Sequence, residues 1–209
     1  MRLVLASNNP GKLAELQMLF APLGLALVTQ STLGIDEAEE PHHTFVENAL
    51  AKARHAARAA NGAAIADDSG LVVDALGGAP GVVSAHFATI DPTVWDREAH
   101  RRRQDAANNA LLLERLHGRA DRSARFVSTL VALRGADDPE PLIATGRWEA
   151  TIAEAPRGEG GFGYDPLVVI VGLGKSVAEL DAAAKNAVSH RALAARQMLA
   201  LMRDVWRLG

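Results

Sequence analysis

The segment "SNNPGK", Ser7 to Lys12, holds the first residues that could do chemistry. It follows the apolar run "RLVLA" and opens a helical pattern. Pro10 suits a first helical turn, where its missing N–H has no intrahelical partner. A helix N-terminus offers N–H groups and the positive end of the dipole, which together attract anions. Ser7, Asn8 and Asn9 add side-chain donors, and Lys12 adds a charge. The Walker A pattern is not met, because Ala6 stands at its first Gly and Leu13 at its Ser or Thr. The segment reads either as a phosphate-binding turn or as a plain N-capping turn.

Further groups along the chain suit the same chemistry. Asp67 and Asp68 adjoin in "DDSG", after the apolar run "AAIA". Neighbouring strand residues point to opposite faces, so one of the two carboxylates faces a site. The same four residues also read as a hairpin corner. The loop "GIDEAEEPHH" carries Asp36, Glu37, Glu39 and Glu40. Hard cations such as Mg2+ take carboxylate and phosphate oxygens together; a solvated loop is the other reading. Asn48 and Lys52, four apart, share a helix face. In "GGFGYDP", glycines let backbone approach a ligand, and Phe162 could stack on a planar base or simply be buried. Gly163, Tyr164 and Asp165 complete that stretch. "KNAVSHRA" clusters Lys185, Ser189, His190 and Arg191, residues that also suit a surface helix with a satisfied or solvent-facing histidine.

These groups need elements to position them. Hydrophobic periodicity predicts strands over Arg2–Ala6, Leu25–Thr29, Ala124–Leu133, Leu142–Ile152 and Leu167–Val171. Short apolar runs, Ala63–Asp67 and Leu71–Asp74, flank "DDSG". Helices are predicted over Pro10–Leu23, Thr44–Ala60, Pro92–His117 and Asp181–Arg207, the second opened by a Thr44–Glu47 capping box. Strand–helix alternation followed by a strand pair implies an α/β fold with a mixed sheet.

Composition narrows the function classes. The 209 residues are 48% hydrophobic and 22% charged, enough for one core or two closely packed lobes. Aromatic residues make up only 4%, so the core is aliphatic. Cys is absent, which excludes disulfides and thiolate metal sites and fits a reducing cytoplasm. No apolar stretch approaches a membrane span of roughly 20 residues, and the start of the chain does not read as a signal peptide. A net charge of −3 argues against a nucleic-acid partner. The basic run from Arg101 to Gln104 reads as a solvated helix face.

The order of the motifs is more specific than any one of them. "SNNPGK", "FVENALAKA", "DDSGL", "GGAPGVVSA", "GGFGYDP" and "SHRA" together resemble the noncanonical purine nucleoside triphosphate pyrophosphatases, also called dITP/XTP or inosine triphosphate pyrophosphatases. The resemblance runs from Leu3 to about Leu199. It implies an α/β fold with a long mixed β-sheet and flanking helices, forming two lobes around a central substrate cleft, in one domain spanning the chain. It implies a cytoplasmic homodimer that hydrolyses ITP, dITP and XTP to the monophosphate and pyrophosphate with Mg2+.

Carried onto this chain, the resemblance gives Ser7, Asn8, Asn9, Pro10, Gly11, Lys12 and Lys52 the triphosphate. It makes Asp68 the general base and a metal ligand, with Glu40 or its neighbour Glu39 as the second acidic group at Mg2+. Ser69 contacts substrate, and Phe162, Gly163, Tyr164, Asp165, Lys185, His190 and Arg191 form the base pocket. One departure is visible: after "GVVS" the family commonly reads Ala-Arg-aromatic, and here it is Ala85, His86, Phe87. Two rival readings are a Maf-like pyrophosphatase for modified nucleotides and a nucleotide sensor without catalysis.

Overall fold

A computed structural model describes residues 2–21, 24–91 and 96–208. Its strands are β1 (Arg2–Leu5), β2 (Ala26–Thr29), β3 (Ala64–Val73), β4 (Ser123–Leu133), β5 (Leu142–Ile152) and β6 (Val168–Ile170). Its α-helices are α1 (Pro10–Phe20), α2 (Phe45–Ala60), α3 (Arg97–Arg115), α4 (Ala182–Val188) and α5 (His190–Trp206). The strands form one six-stranded mixed sheet in the order β2-β1-β3-β4-β5-β6. β1 runs parallel to β2 and β3, and β6 runs antiparallel to β5.

The chain divides into two compact units. The first holds Met1–Ser69, Ser128–Arg147 and Asn186–Gly209; the second holds Gly70–Val127 and Trp148–Lys185. The first unit covers its strands on both faces. Leu3, Leu5 and Ile65 join Leu16 and Phe20 of α1 and Met198 and Met202 of α5. The alternate residues Val4, Ala6, Ala64 and Ala66 join Ala49, Ala53, Ala56 and Ala57 of α2. Strand alternation thus hands one face to α1 and α5 and the other to α2. Four buried alanines on one stripe of α2 let that helix lie close to the strands. The second unit packs Leu112 and Leu116 with Phe126, Trp148, Ile152, Tyr164 and Leu167.

Glycine marks one close approach in the first unit. A Cβ on Gly146 of β5 would overlap the carbonyl oxygen of His190 and lie 2.7 Å from Ala194 N and 2.9 Å from Leu193 Cβ. The first turn of α5 therefore rests directly on strand backbone.

Several expectations are corrected. "DDSG" is not a turn: β3 runs unbroken from Ala64 to Val73, with Asp67 and Asp68 both buried inside it. Turn propensity gives way because cations pair both carboxylates. The expected C-terminal helix breaks at Ser189, which leaves helical geometry and caps α5, its Oγ accepting the Ala192 N–H at 3.2 Å. The Thr44–Glu47 box is half formed: Thr44 Oγ1 accepts the Glu47 N–H, but the Glu47 carboxylate takes the Thr44 hydroxyl proton. Gln104 is buried rather than part of a solvated face. The predicted end of the first helix at 22–23 and the predicted start of the third at 92–95 lie outside the described residues.

Candidate functional site

Two sets of charged side chains meet at β3 in the first unit, one for each Asp. Asp67 has the parity of Ile65 and so faces α1 and α5. It is fully buried, and Lys12 Nζ lies 3.1 Å from its Oδ2. Arg191 Nε approaches the same oxygen at 3.3 Å, and the Ser69 hydroxyl donates to it at 3.0 Å. Ser128 Oγ donates to Oδ1 at 2.6 Å. Arg191 continues the network, donating to Ser69 Oγ at 3.0 Å and pairing with Glu15 of α1. Burial by itself would raise the Asp67 carboxyl, but Lys12, Arg191 and the Ser128 hydroxyl hold it well below the usual carboxylate range.

Asp68 has the parity of Ala66 and faces α2. Lys52 Nζ donates at 2.8 Å to Asp68 Oδ1 and at 2.8 Å to Glu40 Oε2. Glu40, not Glu39, is the acidic-loop residue that makes this pair. Burial pushes the Asp68 carboxyl up to about 6, with Glu40 adding to the shift and Lys52 and Lys12 opposing it. Glu40 feels burial too, but Lys52 outweighs it and holds that carboxyl low. Lys52 is itself raised: burial disfavours its charge, and Asp68 and Glu40 more than compensate. Asp68 Oδ2 is buried and accepts no hydrogen bond.

The acidic loop is held from α2. Buried Asn48 accepts the His42 N–H at 3.0 Å and donates to the His42 carbonyl at 3.2 Å. This fixes the backbone two residues beyond Glu40. Asn48 was legible only as the residue sharing a face with Lys52; its clamp joins residues six apart across a loop.

The Ser7–Lys12 segment caps itself. Asn9 Oδ1 accepts the Gly11 and Lys12 N–H groups at 3.0 and 3.2 Å, and Ser7 Oγ accepts the Asn9 N–H at 3.3 Å. Pro10 has no N–H to offer. An incoming anion would meet side chains and the dipole rather than bare amides. The buried Asn8 Oδ1 has no hydrogen-bond partner. His190 is buried at the start of α5 over Gly146.

The second unit holds the other predicted group. Asp165 Oδ2 accepts the Phe162 N–H at 3.0 Å and the Lys185 ammonium at 2.9 Å, and that ammonium stands 4.7 Å from the Phe162 ring centroid. Glycine at 161 is needed because a Cβ there would overlap the Asp165 carboxylate. Tyr164 is buried, and its hydroxyl donates to the Ser84 carbonyl at 2.9 Å. Burial pushes its phenol well up, with Asp105 adding to the shift.

Sequence reasoning missed Glu15 and Ser128, and it gave Asp67 no partner. Glu15 lies three residues after Lys12, so one face of α1 presents both toward β3. That spacing was the available signal. Ser128 carried none, because a serine inside an apolar strand run reads as packing.

The geometry is therefore a buried carboxylate pair with two lysines and an arginine, beside an acidic loop. It can hold several phosphate oxygens and present one carboxylate oxygen to water or to a hard cation.

The Ham1 family model matches residues 3–201. A dITP/XTP pyrophosphatase of Methylibium petroleiphilum is 72% identical over 206 residues, covering 99% of each chain. One of Leptothrix cholodnii is 67% identical over 211 residues, covering 100% of each. The solved structure of a HAM1 protein from Coxiella burnetii superposes with a TM-score of 0.87 at 40% identity, covering 98% of this chain and 100% of that one.

Proposed function

The chain belongs to the Ham1 family, and we propose that it hydrolyses the noncanonical purine nucleoside triphosphates ITP, dITP and XTP to the monophosphate and pyrophosphate. The relatives named dITP/XTP pyrophosphatase support the substrate class. The observation that carries the reading on this chain is the Asp68–Lys52–Glu40 contact, with a buried Asp68 oxygen left without a partner.

Asp68 and Glu40 fit a hard cation: both supply carboxylate oxygens, and one of them is unsatisfied. They would hold Mg2+ together with substrate oxygens, and the ion would neutralise phosphate charge. Among the described residues no cluster of three or more His, Cys, Asp or Glu side chains surrounds a metal position.

The chain's own residues do the rest. Water attacks the α-phosphorus, and pyrophosphate leaves. Positioning and charge neutralisation dominate such reactions. Lys12 and Lys52 draw the triphosphate into place, and Ser7, Asn8 and Ser69 supply further polar contacts. Asp68 accepts the proton of the attacking water; a carboxyl pushed up to about 6 is a stronger base near neutral pH than an ordinary one.

The base falls to Phe162, Gly163, Tyr164, Asp165 and Lys185, with His190 and Arg191. Hypoxanthine and xanthine carry a 6-keto acceptor where adenine carries an amino donor. A pocket that donates to a 6-keto oxygen disfavours the 6-amino group of adenine. We infer a single catalytic domain in a cytoplasmic homodimer; light scattering checks the dimer.

The test is an assay of ITP, XTP, dITP, GTP and ATP with Mg2+, reading pyrophosphate. ITP, XTP and dITP should lead by kcat/KM. Orthophosphate as the first product would sink the proposal.

A further inference from the structure

The run Arg101–Gln104 of helix α3 reads as a solvated face, yet the central turn of the helix holds two side-chain pairs at i,i+4 spacing that grip backbone. Gln104 and Asn108 hold the segment 84–88. Gln104 Nε2 donates to the Ala88 carbonyl at 2.7 Å, and Asn108 Nδ2 donates to the Ser84 and Ala85 carbonyls at 3.2 and 3.1 Å. Asn108 Oδ1 accepts the Ala88 N–H at 2.8 Å.

One position along, Asp105 and Asn109 hold Gly163. Asp105 Oδ2 accepts the Gly163 N–H at 3.0 Å, and Asn109 Nδ2 donates to the Gly163 carbonyl at 2.9 Å. Both polar groups of one glycine, 54 and 58 residues away in sequence, end on one helix turn.

Gly163 sits at φ +62, and nothing crowds the place where its Cβ would be. Glycine is needed there for backbone conformation, and a free glycine samples more conformations than any other residue. Something must select this one, and the α3 pair does. The same helix also holds Tyr164 from its far end, because the Tyr164 hydroxyl donates to the Ser84 carbonyl that Asn108 grips. Phe162 is fixed on its other side by Asp165. The aromatic pair 162 and 164 therefore takes its direction from α3 through Gly163.

We propose that Asp105 and Asn109 are positioning residues for base recognition: they clamp the Gly163 peptide and so set how Phe162 and Tyr164 are presented. This rests on the reading of the Gly-rich segment as base-holding. The pair acts through the backbone it holds.

The experiment measures binding of ITP and of inorganic tripolyphosphate by calorimetry, for the full chain and for Asp105→Ala, Asn109→Ala and Asp105→Asn. Hydrogen exchange across 158–166 and melting temperature are read on the same samples. With one hydrogen bond lost from the clamp, each Ala variant should weaken ITP about tenfold and change tripolyphosphate less than about twofold. Exchange across 158–166 should quicken while the melting temperature stays near that of the unchanged protein. Asp105→Asn keeps an acceptor oxygen and should recover ITP binding. Equal weakening of both ligands with a lower melting temperature would overturn the proposal, as would unchanged exchange and unchanged ITP binding. A full-length unchanged protein that binds ITP no tighter than tripolyphosphate removes the base-holding reading and with it the specificity role. The exchange data distinguish that result, since the Ala variants would still loosen 158–166.

Discussion

Asp67 and Asp68 are consecutive residues of β3, both buried, with opposite electrostatic fates. Asp67 is held well below the carboxylate range between Lys12 and Arg191, whereas burial pushes Asp68 up to about 6 against Lys52. The difference lies in the charges around each: Lys12 and Arg191 both pair Asp67, whereas Asp68 shares Lys52 with Glu40, whose like charge adds to the effect of burial. Each Asp67 oxygen accepts at least one hydrogen bond, while Asp68 keeps one buried oxygen without a partner. The first residue suits a structural role, and the second suits the catalytic role proposed for it.

Asp68→Asn should remove the proposed base while keeping the strand. Loss of a general base lowers turnover by about 100- to 10,000-fold. Steady-state pyrophosphate release and a thermal melt on the same sample check both halves. A protonated carboxyl cannot accept a proton, so kcat/KM of the unchanged enzyme should fall as pH drops through the raised Asp68 value of about 6. The residual activity of Asp68→Asn should lack that acid limb.

Asp67→Asn should behave in the opposite way, as a folding defect. It removes the buried carboxylate that Lys12 and Arg191 share and leaves Arg191 with Glu15. Breaking such a buried pair costs about 3–5 kcal/mol, read as a lower urea midpoint.

The same pair gives a pH dependence of stability. The folded Asp67 value lies below its ordinary 3.8, so its contribution is full above that value and is lost as pH falls below it. Between about pH 5 and 3, the urea midpoint should fall more steeply for the unchanged protein than for Asp67→Asn. Equal slopes would remove Asp67 as the source.

Gly146→Ala should disturb α5 without touching a charged group. The new Cβ would overlap the His190 carbonyl and stand 2.7 Å from Ala194 N, so the helix start must move. Overpacking of this kind costs about 1–3 kcal/mol. Because His190 and Arg191 sit in that first turn, kcat/KM should fall as well. A melt unchanged from that of the parent would show that α5 gives way freely.

Lys12→Ala should slow turnover of the triphosphate and leave binding of the monophosphate product nearly unchanged, since its proposed charge meets the leaving pyrophosphate. Product binding by calorimetry beside steady-state kinetics decides it; an equal loss in both would count against that role. The variant should also be less stable, because Lys12 is one of two cations on buried Asp67.

Most element types were legible in the residue pattern alone, as were the charged groups. The β5 alternation shows perfectly in its burial, residue by residue, because a strand covered on one face states its period in the chain. The Pro10 helix start and the α2 run with Thr44 at its cap were likewise legible, since caps act over three or four residues. Six ordered motifs were enough to mark the family.

Tertiary structure decided what local rules could not reach. "DDSG" looks like a turn and is a strand, because Lys12, Lys52 and Arg191 arrive from three helices to pair its carboxylates. The C-terminal helical pattern breaks at Ser189 because the hydroxyl takes a helix-end N–H, and periodicity does not record that choice. The Asp105–Asn109 grip on Gly163 spans more than 50 residues of chain. Local periodicity carries no signal at that separation, so only the packed fold could bring the helix turn and the glycine together.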